Sequence, residues 1–188
     1  TEDRNKTATC KVTVTDDSLN RLIEFADIVM KELCVDAFDT NADGELSYAE
    51  AAEVTDLSQM VLRKKTFKTF DELQFFTGIQ SIPFCYFEGI GIKSIIIPEN
   101  VKTIEYGAFR NCMHLSDISI PNGLELIGNY AFCGCEKIES FTMPESVIIG
   151  SHAFEDCSML KTINGTVNYL NQSVFAGCSS LTNISLGD

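Results

Sequence analysis

Positive charge is scarce in this chain. Its 188 residues carry 14 Lys and Arg against 27 Asp and Glu, a net charge of −13 with a pI near 4.5. Nucleic acid and anionic membrane surfaces select for Lys and Arg, so this balance argues against both as partners. Arg63, Lys64, Lys65 and Lys68 form the one basic cluster, readable as a solvated face or as a partner patch. Long hydrophobic runs are also lacking. No stretch approaches the ~18 apolar residues of a membrane span, so this segment is not expected to cross a bilayer. Residues 1–15 lack the charged-then-apolar layout of a signal peptide, which an expressed fragment would in any case have lost. Histidine is limited to His114 and His152, and no Gly-x-Ser-x-Gly elbow, glycine-rich phosphate loop or His-rich metal motif occurs. With 27 carboxylates, acid pairs for glycoside chemistry are not excluded. The reading is nevertheless of a non-enzymatic chain, because none of the specific catalytic motifs is present.

What the chain does contain is a phrase repeated four times. Gly107-Ala108-Phe109-Arg110-Asn111-Cys112, Tyr130-Ala131-Phe132-Cys133-Gly134-Cys135, His152-Ala153-Phe154-Glu155-Asp156-Cys157 and Ser173-Val174-Phe175-Ala176-Gly177-Cys178 share an aromatic followed three positions later by Cys. The phenylalanines recur at intervals of 23, 22 and 21 residues. A fixed period in the low twenties means one supersecondary unit stacked on copies of itself. Each phrase is followed by an alternating segment: Leu115-x-x-Ile118-x-Ile120-Pro121, Ile138-x-x-Phe141-x-Met143-Pro144, Leu160-x-x-Ile163 and Leu181-x-x-Ile184-x-Leu186, with Ile92-x-x-Ile95-x-Ile97-Pro98 before them. Period-two alternation predicts a short strand with one buried side, which the proline then terminates. A degenerate copy around Phe87 lies 22 residues before Phe109, giving about five turns over residues 79–188.

These motifs resemble the BspA-type leucine-rich repeats of bacterial and some protist surface proteins. The resemblance implies an α+β chain: a right-handed solenoid with short parallel strands on its concave face. Two turns depart from the pattern and are expected to be irregular: the first has Ile90 in place of Cys, and the fourth has Thr166-Val167 in place of Ile-Pro.

Eight cysteines would suggest disulfides in a small secreted chain. However, Cys112, Cys135, Cys157 and Cys178 share one position of the repeat, where stacked small buried groups are the leading reading and disulfide or metal the other. Cys133 and Cys135 form a Cys-x-Cys with no second pair at zinc spacing. Cys10, Cys34 and Cys85 cannot be paired from sequence.

If the strand apolar residues point inward, their neighbours point outward. That set is Ser94, Ile96, Asp117, Ser119, Ser140, Thr142, Thr162, Asn164, Asn183 and Ser185, a ladder of mostly small polar groups. It is a candidate surface for a protein or glycan ligand, or simply what keeps an exposed sheet soluble.

Upstream, Asp39-Thr40-Asn41-Ala42-Asp43-Gly44-Glu45-Leu46-Ser47-Tyr48-Ala49-Glu50 fits a twelve-residue EF-hand loop. In that pattern Asp39, Asn41 and Asp43 supply side-chain oxygens, Glu45 its carbonyl, Ser47 an oxygen directly or through water, and Glu50 a carboxylate, all to calcium. Ser47 and Glu50 also make a capping box, so a plain helix start is the alternative. Ordinary EF-hands come in pairs, and one unpaired loop reads as a structural staple. Apolar spacing predicts a helix over about 18–37 before the loop and a short one to about Val54 after it. Thr69 and Glu72 predict a second capping box, with Gly78 as helix stop, and Phe70, Leu73, Phe75 and Phe76 are expected to seal the first repeat. The domain layout is thus 16–78 as a small helical EF-hand-like cap and 79–188 as the array. Residues 1–15 resemble a remnant strand of an upstream immunoglobulin-like domain.

The expected function is a non-enzymatic interaction or adhesion module, extracellular or on a bacterial cell surface, with a structural calcium site. The alternative is a spacer or accessory module of a larger surface enzyme or glycan-utilisation protein. A monomer is expected, with end-to-end association through the uncapped C-terminus as a further option.

Overall fold

The computed structural model describes residues 20–62, 65–167 and 169–186. The strand expected over residues 1–15, Leu19, Arg63, Lys64 and the C-terminal Gly187-Asp188 lie outside the described residues.

The array is a parallel β-solenoid of about five turns. Each of the first four turns lends one strand to each of two walls, and β9 and β10 extend the first wall alone. One wall holds β1 (Thr69–Phe70), β3 (Ser94–Ile96), β5 (Asp117–Ser119), β7 (Ser140–Thr142), β9 (Thr162–Val167) and β10 (Asn183–Leu186). The other holds the two-residue strands β2 (Ser81–Ile82), β4 (Thr103–Ile104), β6 (Leu126–Ile127) and β8 (Ile148–Ile149), paired in sequence order.

Proline sets strand length. The strands followed by Pro98, Pro121 and Pro144 are three residues long, whereas β9 and β10, with no proline there, run to six and four. A proline cannot donate to a ladder, and removing that stop lets pairing continue. The fourth turn is irregular where expected: the register shifts between Ile184 and Ser185, so Ser185 pairs with Thr166 instead of Asn164. The first turn is not irregular. Ile90 N–H donates to Phe87 O at 3.0 Å, as Cys112 N–H does to Phe109 O at 3.1 Å, because the turn is closed by main chain and does not require a thiol.

The repeated phrase builds the interior. Phe87, Phe109, Phe132 and Phe154 are fully buried and stack with ring centroids 5.1, 5.2 and 5.2 Å apart, and Phe175 continues the column at 5.7 Å. Beside them runs a ladder of thiols. Cys112 Sγ donates to Phe87 O (2.9 Å), Cys135 to Phe109 O (3.1 Å), Cys157 to Phe132 O (3.2 Å) and Cys178 to Phe154 O (3.0 Å). Each cysteine ties its turn to the one before, and all four are free thiols. The residue before the thiol adopts a left-handed backbone in every turn: Gly89, Asn111, Gly134, Asp156 and Gly177. Gly, Asn and Asp are the residues that tolerate this region, which accounts for their recurrence there.

The cap differs from its expectation in two places. The helix α1 spans Ile28–Phe38, ten residues shorter at its start than the apolar spacing predicts. Asp27 caps it by accepting from Val29 N–H, and the preceding segment is claimed by other partners. Ile23 N–H donates to Leu46 O and Tyr48 N–H to Arg21 O, an antiparallel bridge to the loop, while Ala26 N–H donates to Glu72. The Thr69–Glu72 capping box does not form, because Thr69 belongs to β1 and Glu72 serves Ala26. The predicted helix is a short 3₁₀ turn, Asp71–Phe75. Gly78 lies where the chain presses on the cap: a Cβ there would sit 2.5 Å from Val54 O.

The sealing role does appear in the packing. Phe70, Leu73 and Phe76 are fully buried, with Phe76 edge-on to both Phe38 and Phe70. Because β1 pairs with β3 and Lys93 N–H donates to Lys68 O as Ser116 N–H does to Lys93 O, Phe67-x-x-Phe70 is a degenerate strand segment. The array therefore starts upstream of the boundary expected at residue 79. Helix α2, Tyr48–Glu53, follows the loop and is capped by Ser47 as expected. Among the described residues no helix is long and apolar enough to cross a membrane.

Candidate functional site

The polar ladder lies on the wall formed by β1, β3, β5, β7, β9 and β10. Asp117, Ser119, Ser140, Thr142, Asn164 and Asn183 are exposed, and Ser94, Ile96 and Thr162 half-buried. Backbone pairing sets Ser94 beside Asp117, Ile96 beside Ser119, Ser140 beside Thr162 and Thr142 beside Asn164. Asn183 stands beside Thr162. The expected ladder is thus assembled, but in two blocks: β1-β3-β5 and β7-β9-β10 are separate three-stranded sheets. Ser94 is partly withdrawn, since its hydroxyl donates to Asp71 (3.1 Å).

The loop 39–50 has the local winding that the motif asks for. Ala42 and Gly44 are left-handed, at φ 60° and 83°. Asp39 accepts from Ala42 and Gly44 N–H, Asn41 from Asp43, and Asp43 from Glu45, so each of these side chains braces the loop it would serve. Leu46 is fully buried and paired with Ile23. The bridge to Arg21–Ile23 occupies the flank where a second loop would pair. Glu45 directs its carboxylate to Lys31 at 2.6 Å, which leaves its carbonyl as the remaining donor.

Glu50 is hydrogen-bonded at both carboxylate oxygens. Its Oε1 accepts from Thr40 N–H, Thr40 hydroxyl and Asn41 N–H, and its Oε2 from Ser47 N–H and hydroxyl. Partial burial disfavours the Glu50 carboxylate, but the bonds from Ser47 and Thr40 outweigh it and hold the carboxyl at about 2, down from 4.5. Among the described residues no group of three or more His, Cys, Asp or Glu converges as a metal cluster. The Glu50 carboxylate is engaged by the capping box and by Thr40 and Asn41.

A third feature escaped sequence reasoning. Phe84, Tyr106, Tyr130 and His152 stack on the outside of successive turns, with centroids 5.3, 5.5 and 4.6 Å apart. Arg110 lies 5.7 Å over Tyr130, and His152 Nδ1 is 3.0 Å from Glu155. The signal was available, since each ring stands two or three residues before the repeated Phe, but the ring type varies. Phe84–Tyr106 and Tyr130–His152 are near parallel, at 15° and 1°, and Tyr106–Tyr130 is tilted by 52°.

Among the described residues His152 pairs with Glu155, and no serine or cysteine donates to a histidine. Two of the stacked thiols are poor nucleophiles: burial, against weaker main-chain hydrogen bonds, pushes Cys112 up to about 12, and burial also raises Cys135 well above its ordinary value.

Comparison with known proteins agrees with this architecture. The pattern of a BspA type leucine rich repeat region matches residues 61–182 in six copies, starting upstream of β1. No curated protein matches the chain. A leucine rich cell surface protein from Faecalibacterium prausnitzii superposes with a TM-score of 0.60 at 27% identity, covering 66% of this chain and 33% of that one. The pneumococcal vaccine antigen PcpA shares the fold, with a TM-score of 0.54 at 24% identity over 65% of this chain and 31% of its own. This chain therefore spans about a third of the length of either structure. On the repeat match over most of its length, the chain belongs to the BspA type leucine rich repeat family.

Proposed function

We propose that the chain is a non-enzymatic interaction module of a bacterial surface protein, whose sheet wall receives a protein or glycan ligand. The observation that carries this reading is the exposure of small polar residues at equivalent positions of successive strands, above a core built from the repeated Phe and Cys. A protein surface shaped by short, stiffly held side chains loses little entropy on binding. The likeness to a cell surface protein supports the location. The test is binding of the labelled chain to a panel of matrix proteins and a glycan array, compared with a variant carrying Asp117→Lys, Ser140→Lys and Asn164→Lys. Loss of wild-type signal in the variant is expected; equal binding would move the function off this wall, toward a spacer role.

We infer further that the loop 39–50 holds calcium as a staple between α1 and α2. Asp39, Asn41 and Asp43 would bind through side chains and Glu45 through its carbonyl, with Ser47 and Glu50 completing the set. Glu50 must then exchange its bonds to Thr40 and Asn41 for the ion. A site of this modest charge suits the ~10⁻⁴–10⁻³ M range of extracellular modules. Calcium should raise the melting temperature and chelation lower it, and Asp39→Ala should abolish the difference. Identical melting in calcium and in chelator would sink the site.

A further inference from the structure

Every neighbouring pair in the two walls is joined by ladder bonds except one. Between β3 and β5, Ile97 N–H donates to Ser119 O and Asp117 N–H to Lys93 O; between β7 and β9, Met143 N–H donates to Asn164 O and Lys161 N–H to Glu139 O. The corresponding bonds between β5 and β7 would join Ile120 N–H to Thr142 O and Ser140 N–H to Ser116 O, and neither forms. The same two turns remain fully stacked elsewhere: Phe109 N–H donates to Ala131 O, Gly128 N–H to Ile104 O, and Cys135 Sγ to Phe109 O. The solenoid is therefore split on one wall only.

A slot lies at the split, with a cavity of about 250 Å³. Its exposed lining is mostly polar, with Ile118 and Ile120 supplying the apolar part. Ile118 and Ile120 are half-exposed, although the equivalent Ile95 and Ile97 on β3 and its flank are buried. Phe141 occupies the inward position held by isoleucine in β3, β5 and β9, and wedges its ring between Phe132 (5.3 Å) and Phe154 (4.8 Å). The gap between β5 and β7 falls beside the one strand that carries an aromatic at this inward position. The rim carries the hydroxyls of Ser119, Ser140 and Thr142 and no charged lining residue.

In a parallel ladder successive residues face alternate sides. Asp117 and Ser119 face β3, so Ile118 N–H and C=O and Ile120 N–H face the slot. From the other edge come N–H and C=O of Ser140 and Thr142. Two strand edges thus offer unpaired donors and acceptors in alternation across the slot. The partner that supplies the same alternation, with side chains falling on one face, is an extended polypeptide. We propose that the slot between β5 and β7 binds an extended peptide segment by strand addition, of about three residues at the ~3.3 Å rise of a strand. This rests on the reading of the wall as a binding surface and narrows it to one place and one ligand class. An uncharged rim is compatible with a neutral segment whose small or branched side chain fills the floor at Ile118 and Ile120.

The test uses the 188-residue chain and a phage-displayed library of random twelve-residue peptides. Peptides enriched on the wild type should lose about tenfold or more in affinity for Ser140→Lys and for Thr142→Lys, and should keep it for Asn183→Lys, which lies on the same wall outside the slot. N-methylation of alternate residues in an enriched peptide should abolish binding, since it removes the main-chain donors. Amide exchange of the free chain provides an independent arm: Ile120 and Ser140 N–H should exchange much faster than Ile97 and Asp117 N–H. Loss with Asn183→Lys but not with the slot variants would overturn the slot while sparing the wall. Failure of any peptide to enrich, capture of glycans alone, or equal protection of the four amides would overturn the proposal outright.

Discussion

Replacing Phe132 by alanine should be the most damaging single truncation in the array. The ring is fully buried and has aromatic neighbours on three sides, Phe109 and Phe154 at 5.2 Å and Phe141 at 5.3 Å. Truncations of this kind cost about 3–5 kcal/mol, the transfer term plus the cavity left between two turns that cannot collapse onto each other. Against a total stability of about 5–15 kcal/mol this is a large share. With a guanidinium m-value of about 4 kcal/mol/M, the midpoint should fall by about 1 M. Phe175 sits at the same repeat position but is half-buried and stacked on one side only, 5.7 Å from Phe154. Phe175→Ala should therefore cost about half as much or less. The assay is guanidinium unfolding of each variant followed by circular dichroism, with Phe132→Leu as a milder substitution should the alanine variant not fold. A loss under about 1 kcal/mol for Phe132→Ala, or an equal loss for Phe175→Ala, would refute the idea that stability lies in a stacked spine with nearest-neighbour coupling.

Two further outcomes follow from the same coil. Cys112, Cys135 and Cys157 are sealed and their thiolates disfavoured, Cys112 titrating only near pH 12, so alkylation at pH 8 should follow global unfolding while half-exposed Cys133 reacts earlier. Peptide mapping after timed iodoacetamide treatment reads this directly, and rapid native labelling of the three would contradict it. Gly134→Ala should cost about 1–2 kcal/mol, because the backbone there is left-handed at φ 74°. Gly134→Asn should be milder, since Asn111 holds the same position at φ 58°; thermal melting of the two variants distinguishes them.

The array was legible because its signals are local and repeated. Phe and Cys at a constant spacing, proline at a constant strand end and Leu-x-x-Ile segments each state one fact about one turn, and stacking multiplies it. The wall residues followed by alternation alone, and so did the irregular fourth turn, where Thr166-Val167 replaces the strand-ending proline. Reading the cap by periodicity was less successful. Leu22 and Ile23 fit a helix stripe as well as a strand, and the choice was made by Leu46 and Tyr48 across the loop and by Glu72 forty-six residues away from Ala26. Thr69 and Glu72 had the spacing of a capping box, yet a strand partner in β3 took the first and a cap amide the second. The motif at 39–50 named its oxygens, but which way Glu50 turns depends on the competing amides of Thr40 and Ser47.

The sequence by itself determined the period, the buried spine, the strand side that faces solvent and the winding of the acidic loop, because these depend on residues within one turn of each other. Tertiary structure alone decided where the array begins, since Phe67-x-x-Phe70 is too degenerate to read until β1 pairs with β3. It also decided that the outward ladder is two blocks instead of one. Phe141 looks like a conservative aromatic for aliphatic exchange in the chain, and nothing local to it announces that β5 and β7 stay unpaired while the opposite wall is closed, since that pairing joins residues a full turn apart in sequence.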